Sequence, residues 1–282
     1  MKEGSIRTVV VVGAGIMGRG IALASARAGF KTSVIEPNSA VIESARGEID
    51  KILDRAREKN EIDEAGARAA RYNLTWSGSY DAATGADLAI EAVPESVAIK
   101  SEVYQNLAPR LTREGVIATN TSSLSITELA ATSDRPARFL GMHFFNPVHR
   151  MRLVELVRGL ETGDPALGIG EEAAKAMGKE TVVVKESPGF VTSRINVLIG
   201  NEAFTMLEAG VASARDIDKA LKLGLNHPMG PFELVDLVGL DTRLSILEYL
   251  HRTLGDKYRP SPLHHPIRER RPAGPEGGTR RV

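Results

Sequence analysis

The chain contains no cysteine, carries no formal net charge and has no long apolar run. The missing cysteine removes disulfides, thiolate metal sites and cysteine nucleophiles together. With 36 basic and 36 acidic side chains, the basic excess of a nucleic-acid binder or of a protein drawn to anionic membranes is missing. No stretch approaches the roughly 18 apolar residues of a membrane-crossing helix. Met1–Arg7 runs straight into a strand-like segment, so no signal peptide is expected and the cytoplasm is the expected location. No metal is expected either. What remains is the composition of a globular protein, 42% apolar and 26% charged, in a chain of 282 residues that suffices for one large or two ordinary domains.

Short β-branched runs alternate with helical stretches from residue 7 to about 184. They are Thr8–Val12, Thr32–Ile35, Leu88–Ala92, Gly115–Thr119, Phe139–His143, Leu153–Val157 and Thr181–Val184. Val9–Val12 is apolar on both faces, as a parallel strand covered by helices on each side must be. The alternation predicts right-handed βαβ units and a doubly wound α/β sheet. Ser39 to about Tyr72 is too long and too charged for one crossover helix and predicts an inserted helical hairpin. At Ser187-Pro188-Gly189 the pattern turns helical, which predicts a Rossmann-type domain over 1–186 and a smaller all-α domain over 187–282. Ile195–Val211 is apolar on more than one side, so a second subunit is expected to cover it. Ser213 with Asp216 reads as a capping box, Gly224 as the C-cap of that helix and Pro231 as the first residue of the next.

Val12-Gly13-Ala14-Gly15-Ile16-Met17-Gly18 matches G-x-G-x-x-G between a strand and a helix. Gly13 permits the tight turn, Gly15 the close approach of a pyrophosphate and Gly18 the packing of helix on strand. The pyrophosphate then meets the helix N-terminus beside Ile16 and Met17. A glycine-rich turn alone is also compatible with a purely structural role. Glu36, eighteen residues after Gly18 at the end of the next strand, supplies the acid that the ribose hydroxyls require. Its carboxylate would repel a 2′-phosphate, and Pro37-Asn38-Ser39 offers no arginine to hold one, so NAD is expected rather than NADP.

Polar clusters gather where an open α/β sheet binds ligands, at the carboxyl ends of its strands. Glu95 and Lys100 follow one strand, Asn120-Thr121-Ser122-Ser123 the next, and His143 with Asn146-Pro147 the third. A hydroxyl, an imidazole and an amide beside a nicotinamide suit alcohol oxidation, in which histidine is the usual base. Ser125-Ile126-Thr127-Glu128 is itself a capping box, so one serine of the cluster is structural. His143 in an apolar strand is equally readable as a hydrogen-bonded core residue. Glu155, flanked by Leu153-Val154 and Leu156-Val157, should be paired, because a lone buried carboxylate is costly. A histidine is its natural partner. His149, His227 and His251 lack such surroundings and read as surface or packing residues.

Asn120-Thr121-Ser122-Ser123-Leu124, His143-Phe144-Phe145-Asn146-Pro147 and His227-Pro228-Met229-Gly230-Pro231-Phe232 stand in an order and spacing that resemble the 3-hydroxyacyl-CoA dehydrogenases, particularly the bacterial 3-hydroxybutyryl-CoA enzymes. The likeness runs from residue 6 to about 263. It implies NAD-dependent interconversion of an (S)-3-hydroxyacyl-CoA and a 3-oxoacyl-CoA, with the hairpin helping to hold coenzyme A. By position, it implies His143 as general base with Glu155 as its partner, Ser122 on the substrate oxygen, and Asn146 near nicotinamide and acyl group. It also implies Glu95 and Lys100 as cofactor contacts and a homodimer through the helical domain. A dehydrogenase of free hydroxy acids and an inactive dinucleotide sensor are the competing readings.

Two departures stand out. Many members carry asparagine where this chain has Ser193, before Arg194; Ser193 is expected to keep the substrate contact through a water or a substrate shift. The family closes with a Gly-Arg-Leu-Gly-Arg-Lys-type segment, whereas 264–282 is rich in Arg, Pro and Gly. Codons can be chosen under which these residues, read one base later, give Gly-Arg-Leu-Gly-Arg-Lys. A single-base frameshift near Leu263 is therefore expected, with a tail that has no packing face.

Overall fold

The computed structural model describes residues 6–264. The expectations for the tail lie outside them, apart from the backbone of His264. The described residues form two compact units that divide between Phe190 and Val191.

The first unit is an eight-stranded sheet in the order β3-β2-β1-β4-β5-β6-β7-β8. Its strands are β1 (Thr8–Val12), β2 (Lys31–Ile35), β3 (Leu74–Ser77), β4 (Leu88–Glu91), β5 (Val116–Thr119), β6 (Phe139–Phe144), β7 (Leu153–Arg158) and β8 (Glu180–Lys185). Alternate residues of the central strands point to opposite faces. Val9, Val11, Ile90 and Met142 pack with helices α1 (Ile16–Arg27) and α6 (Asp164–Ala176). Val10, Val12, Ala89 and Ile117 pack with α4 (Val97–Leu107) and α5 (Ile126–Ala131). The doubly wound sheet expected from the sequence is present.

Two features depart from the simple alternation. Strand β3 was absent from the predicted runs; Leu74-Thr75-Trp76-Ser77 alternates apolar and polar residues, but over only four positions at the sheet edge. The pairing of β6 with β7 is antiparallel, since the segment 145–152 is too short for the crossover that parallel strands need. That reversal sets His143 directly opposite Glu155. The predicted hairpin is α2 (Ser39–Glu58) and α3 (Glu64–Tyr72), capped by the side chains of Asn38 and Asp63. It packs Ile49, Leu53 and Ala70 on Leu23 of α1.

The second unit is helical: α7 (Thr192–Glu208), α8 (Ala214–Gly224), α9 (Pro231–Val238) and α10 (Leu240–Leu254). Ser213 caps α8 by accepting from the Asp216 amide at 3.1 Å. Gly224, read as the C-cap, is instead the last helical residue, and Asn226 takes the left-handed conformation with φ of 56°. Asparagine tolerates that region because its short polar side chain bonds locally. Pro231 does open α9. The Gly230-Pro231-Phe232 turn has a local cause. Buried Asp218 on α8 accepts the amides of Phe232 at 2.9 Å and Glu233 at 3.1 Å, and a side chain on Gly230 would overlap its carboxylate.

Candidate active site

The glycine turn is built for a dinucleotide. Gly13 has φ of +96°, and a Cβ there would lie 2.7 Å from the Ala92 carbonyl oxygen. A Cβ on Gly18 would overlap the Gly13 carbonyl. Gly15 differs, since a Cβ there would meet nothing within 4 Å. Space is kept over it that the protein does not fill. Helix α1 begins immediately after, with no side-chain cap and no acid in its first turn, so its free amides suit an anion. Ile16 is exposed and Met17 partly buried beside them. Glu36, at the end of β2, accepts from the Ala14 amide at 3.2 Å and the Asn38 amide at 3.0 Å. Its carboxylate is thereby held against the glycine turn, and the set fits NAD.

At the carboxyl ends of β4 and β5 lies a connected polar network. Glu91, fully buried at the end of β4, accepts from Lys100 Nζ at 2.7 Å and the Val93 amide at 2.8 Å through Oε1. Its Oε2 accepts from Tyr104 Oη at 2.6 Å and Thr119 Oγ1 at 2.8 Å. Burial, reinforced by the Glu91 charge, pushes the Tyr104 hydroxyl above its ordinary range, so it stays protonated and donates. Lys100 Nζ also reaches Glu95 Oε2 at 3.3 Å. Glu95 Oε1 accepts from Thr121 Oγ1 at 2.5 Å, the Ser122 amide at 3.1 Å and Ser123 Oγ at 3.4 Å. Ser125 is the structural serine: its hydroxyl accepts the Glu128 amide at 3.1 Å as the cap of α5.

On β6, His143 Nδ1 and Glu155 Oε2 are 2.7 Å apart, with the imidazole 7% and the carboxylate 0% exposed. A carboxylate can only accept, so Nδ1 carries the proton and the Nε2 lone pair is left to act as a base. The ring leans on Phe145 at 4.5 Å and Phe190 at 5.7 Å between centroids. Phe190 holds φ of +50°, a conformation costly for an aromatic residue. Asn120 Oδ1 accepts the Phe144 amide at 2.9 Å and so ties the Ser122 loop to the strand that carries His143. Asn146 lies exposed three residues beyond His143. Ser193 stands in the first turn of α7, in the other unit.

The fold thus joins His143 to Glu155, and Glu95 to Lys100 and the Ser122 loop. Sequence reasoning missed Glu91, Asn120 as a strand tie, and Phe190 as a wall of the imidazole. Glu91 carried a usable signal, an acid inside Leu88-Ala89-Ile90 and Ala92. Among the described residues no group of three or more His, Asp and Glu could hold a metal ion. No helix among them is long and apolar enough to cross a membrane.

Comparison with known proteins follows the same division. Residues 8–187 match the family model of the 3-hydroxyacyl-CoA dehydrogenase NAD binding domain, and residues 189–279 that of its C-terminal domain. A 3-hydroxybutyryl-CoA dehydrogenase of Mycobacterium tuberculosis is 43% identical over 262 residues, covering 92% of both chains. One of Bradyrhizobium diazoefficiens is 41% identical, over 92% of this chain and 88% of that protein. The crystal structure of (S)-3-hydroxybutyryl-CoA dehydrogenase from Ralstonia eutropha superposes with a TM-score of 0.89 at 44% identity, covering 92% of each chain.

Proposed function

The chain belongs to the 3-hydroxyacyl-CoA dehydrogenase family, and we propose on that premise that it interconverts a short (S)-3-hydroxyacyl-CoA, such as 3-hydroxybutyryl-CoA, with its 3-oxoacyl-CoA. The observation that carries this reading is the buried His143–Glu155 hydrogen bond at 2.7 Å. NAD, when bound, supplies the acceptor for the hydride that leaves C3. In that oxidative direction His143 Nε2 takes the proton of the C3 hydroxyl, and the Glu155 charge steadies the imidazolium that results. Ser122 donates to the substrate oxygen, Asn146 orients the acyl group beside the nicotinamide, and Ser193 makes a further substrate contact. Gly13, Gly15, Gly18 and the Ile16–Met17 amides receive the pyrophosphate, Glu36 the adenosine ribose, and Glu95 with Lys100 border the cofactor.

The test is reduction of acetoacetyl-CoA with NADH, run beside NADPH and free acetoacetate. Thioester-dependent oxidation of NADH is expected, with kcat/KM for NADPH lower by about 100-fold, because a 2′-phosphate beside Glu36 juxtaposes like charges at a cost of several kcal/mol. Turnover of the free acid alone, or tight NADH binding with no turnover, overturns the reading.

We further propose a homodimer through the helical unit. Ile195, Leu223, Leu225 and Leu237 are 55%, 77%, 66% and 59% exposed, and a second copy would take these apolar side chains out of water. Sedimentation velocity at micromolar concentration is expected to give twice the chain mass, and a single-chain mass would sink the idea. We propose a cytoplasmic location, because NAD and CoA thioesters are polyanions that do not diffuse through a bilayer and the enzyme must share their compartment. Recovery of the activity in an extracellular fraction would contradict that assignment.

A further inference from the structure

We propose that Glu91 is a positioning residue for Ser122, acting through Lys100 and Glu95. The inference rests on the reading of Ser122 as the donor to the substrate oxygen.

Each link is fixed by the one before it. Four donors converge on the Glu91 carboxylate: Tyr104 Oη, Thr119 Oγ1, the Val93 amide and Lys100 Nζ. Those donors sit on α4, on β5 and just past β4, so the carboxylate cannot shift without breaking bonds to three separate elements. Lys100 is 1% exposed. Its ammonium lies 2.7 Å from Glu91 Oε1, 3.3 Å from Glu95 Oε2 and 3.4 Å from the Val93 carbonyl, so it links the two carboxylates. Glu95 then spends one oxygen on the Ser122 loop, taking the Ser122 amide and the hydroxyls of Thr121 and Ser123. Thr121 in turn accepts the amides of Ser123 at 3.3 Å and Leu124 at 3.0 Å. With its amide held, Ser122 keeps its hydroxyl for another partner.

Stability alone does not account for such a chain. A buried carboxylate–ammonium pair is generally no more stabilising than well-packed apolar residues of the same volume, whereas a fully satisfied polar network fixes one geometry. The geometry fixed here is that of the loop bearing Ser122. Glu91 itself touches neither substrate nor cofactor.

A double-mutant cycle tests the relay. Glu91→Gln preserves shape but sets an amide N–H against donors that need an acceptor. It is expected to lower kcat for acetoacetyl-CoA about 10- to 100-fold while the Kd for NADH stays within about twofold. In a Ser122→Ala background the same change is expected to cost less than about threefold, because the group it positions is already gone. Tyr104→Phe, which removes one donor to Glu91 with little change of shape, repeats the cycle should Glu91→Gln fail to fold. Losses that multiply with Ser122→Ala, or an NADH affinity that falls in step with kcat, overturn the proposal. Wild-type turnover of acetoacetyl-CoA, read first, tests the underlying reaction separately.

Discussion

Replacing His143 with alanine is expected to lower kcat for acetoacetyl-CoA reduction by about 10²- to 10⁴-fold, the range that a positioned acid–base group contributes. In reduction the imidazolium gives its proton to the nascent alkoxide, and no other titratable side chain on β6 can replace it. The Kd for NADH is expected to change little, since the glycine turn and Glu36 lie on β1, α1 and β2. Glu155→Gln separates the role of the charge from that of the ring. The register across β6 and β7 keeps residue 155 opposite His143, so the fold is retained. The glutamine amide, however, can present an N–H to Nδ1 and drive the imidazole into the tautomer protonated at Nε2, which cannot act as a base in oxidation. In reduction the missing charge no longer favours the imidazolium that must donate. A loss of about 10²- to 10³-fold is expected at neutral pH, by the logic that applies when the acid of a Ser-His-Asp triad is made an amide. Steady-state kinetics and NADH fluorescence titration decide the matter. His143→Ala with kcat within threefold of wild type would remove the imidazole from the chemistry.

Much of this site was legible because its chemistry needs particular residues at particular spacings. Gly13, Gly15, Gly18 and Glu36 are locally encoded, and so are the caps at Ser125, Ser213 and Pro231. Glu155 was legible as an acid among apolar neighbours that required a partner. The same rule applied to Glu91, inside the run Leu88–Ala92, exposes the network under the Ser122 loop. Other features were not legible because tertiary context sets them. Strand β3 pairs with β2 alone, and its alternation of Leu74 and Trp76 with polar residues is only four positions long. The direction of β7 follows from the length of a loop, and the left-handed backbone at Phe190 accompanies its packing against His143. The Gly230 turn became intelligible only when Asp218 was seen to cap α9 from a neighbouring helix.

A pair of alanine substitutions in the glycine turn should have opposite outcomes, although the two positions lie three residues apart in one motif. At Gly18 the new Cβ overlaps the Gly13 carbonyl oxygen and comes within 2.8 Å of its carbon. Both are backbone atoms of a turn that Gly13 N→Ile35 O, at 2.8 Å, ties to β2, so neither side can yield cheaply. Gly18→Ala is expected to destabilise the first unit by about 3 kcal/mol or more, the upper range for overpacking, and to lower NADH affinity as a consequence. At Gly15 the Cβ meets nothing within 4 Å, and the φ of −64° and ψ of −170° are open to alanine. Stability is therefore expected to fall by no more than about 1 kcal/mol, the ordinary cost of alanine at an N-cap. Its methyl nevertheless stands where the pyrophosphate must approach backbone, and NADH affinity is expected to drop by about tenfold or more. Thermal denaturation and NADH titration on the two variants resolve the difference. If Gly15→Ala binds NADH as tightly as wild type, the pyrophosphate does not lie over Gly15, and the open space there belongs to something else.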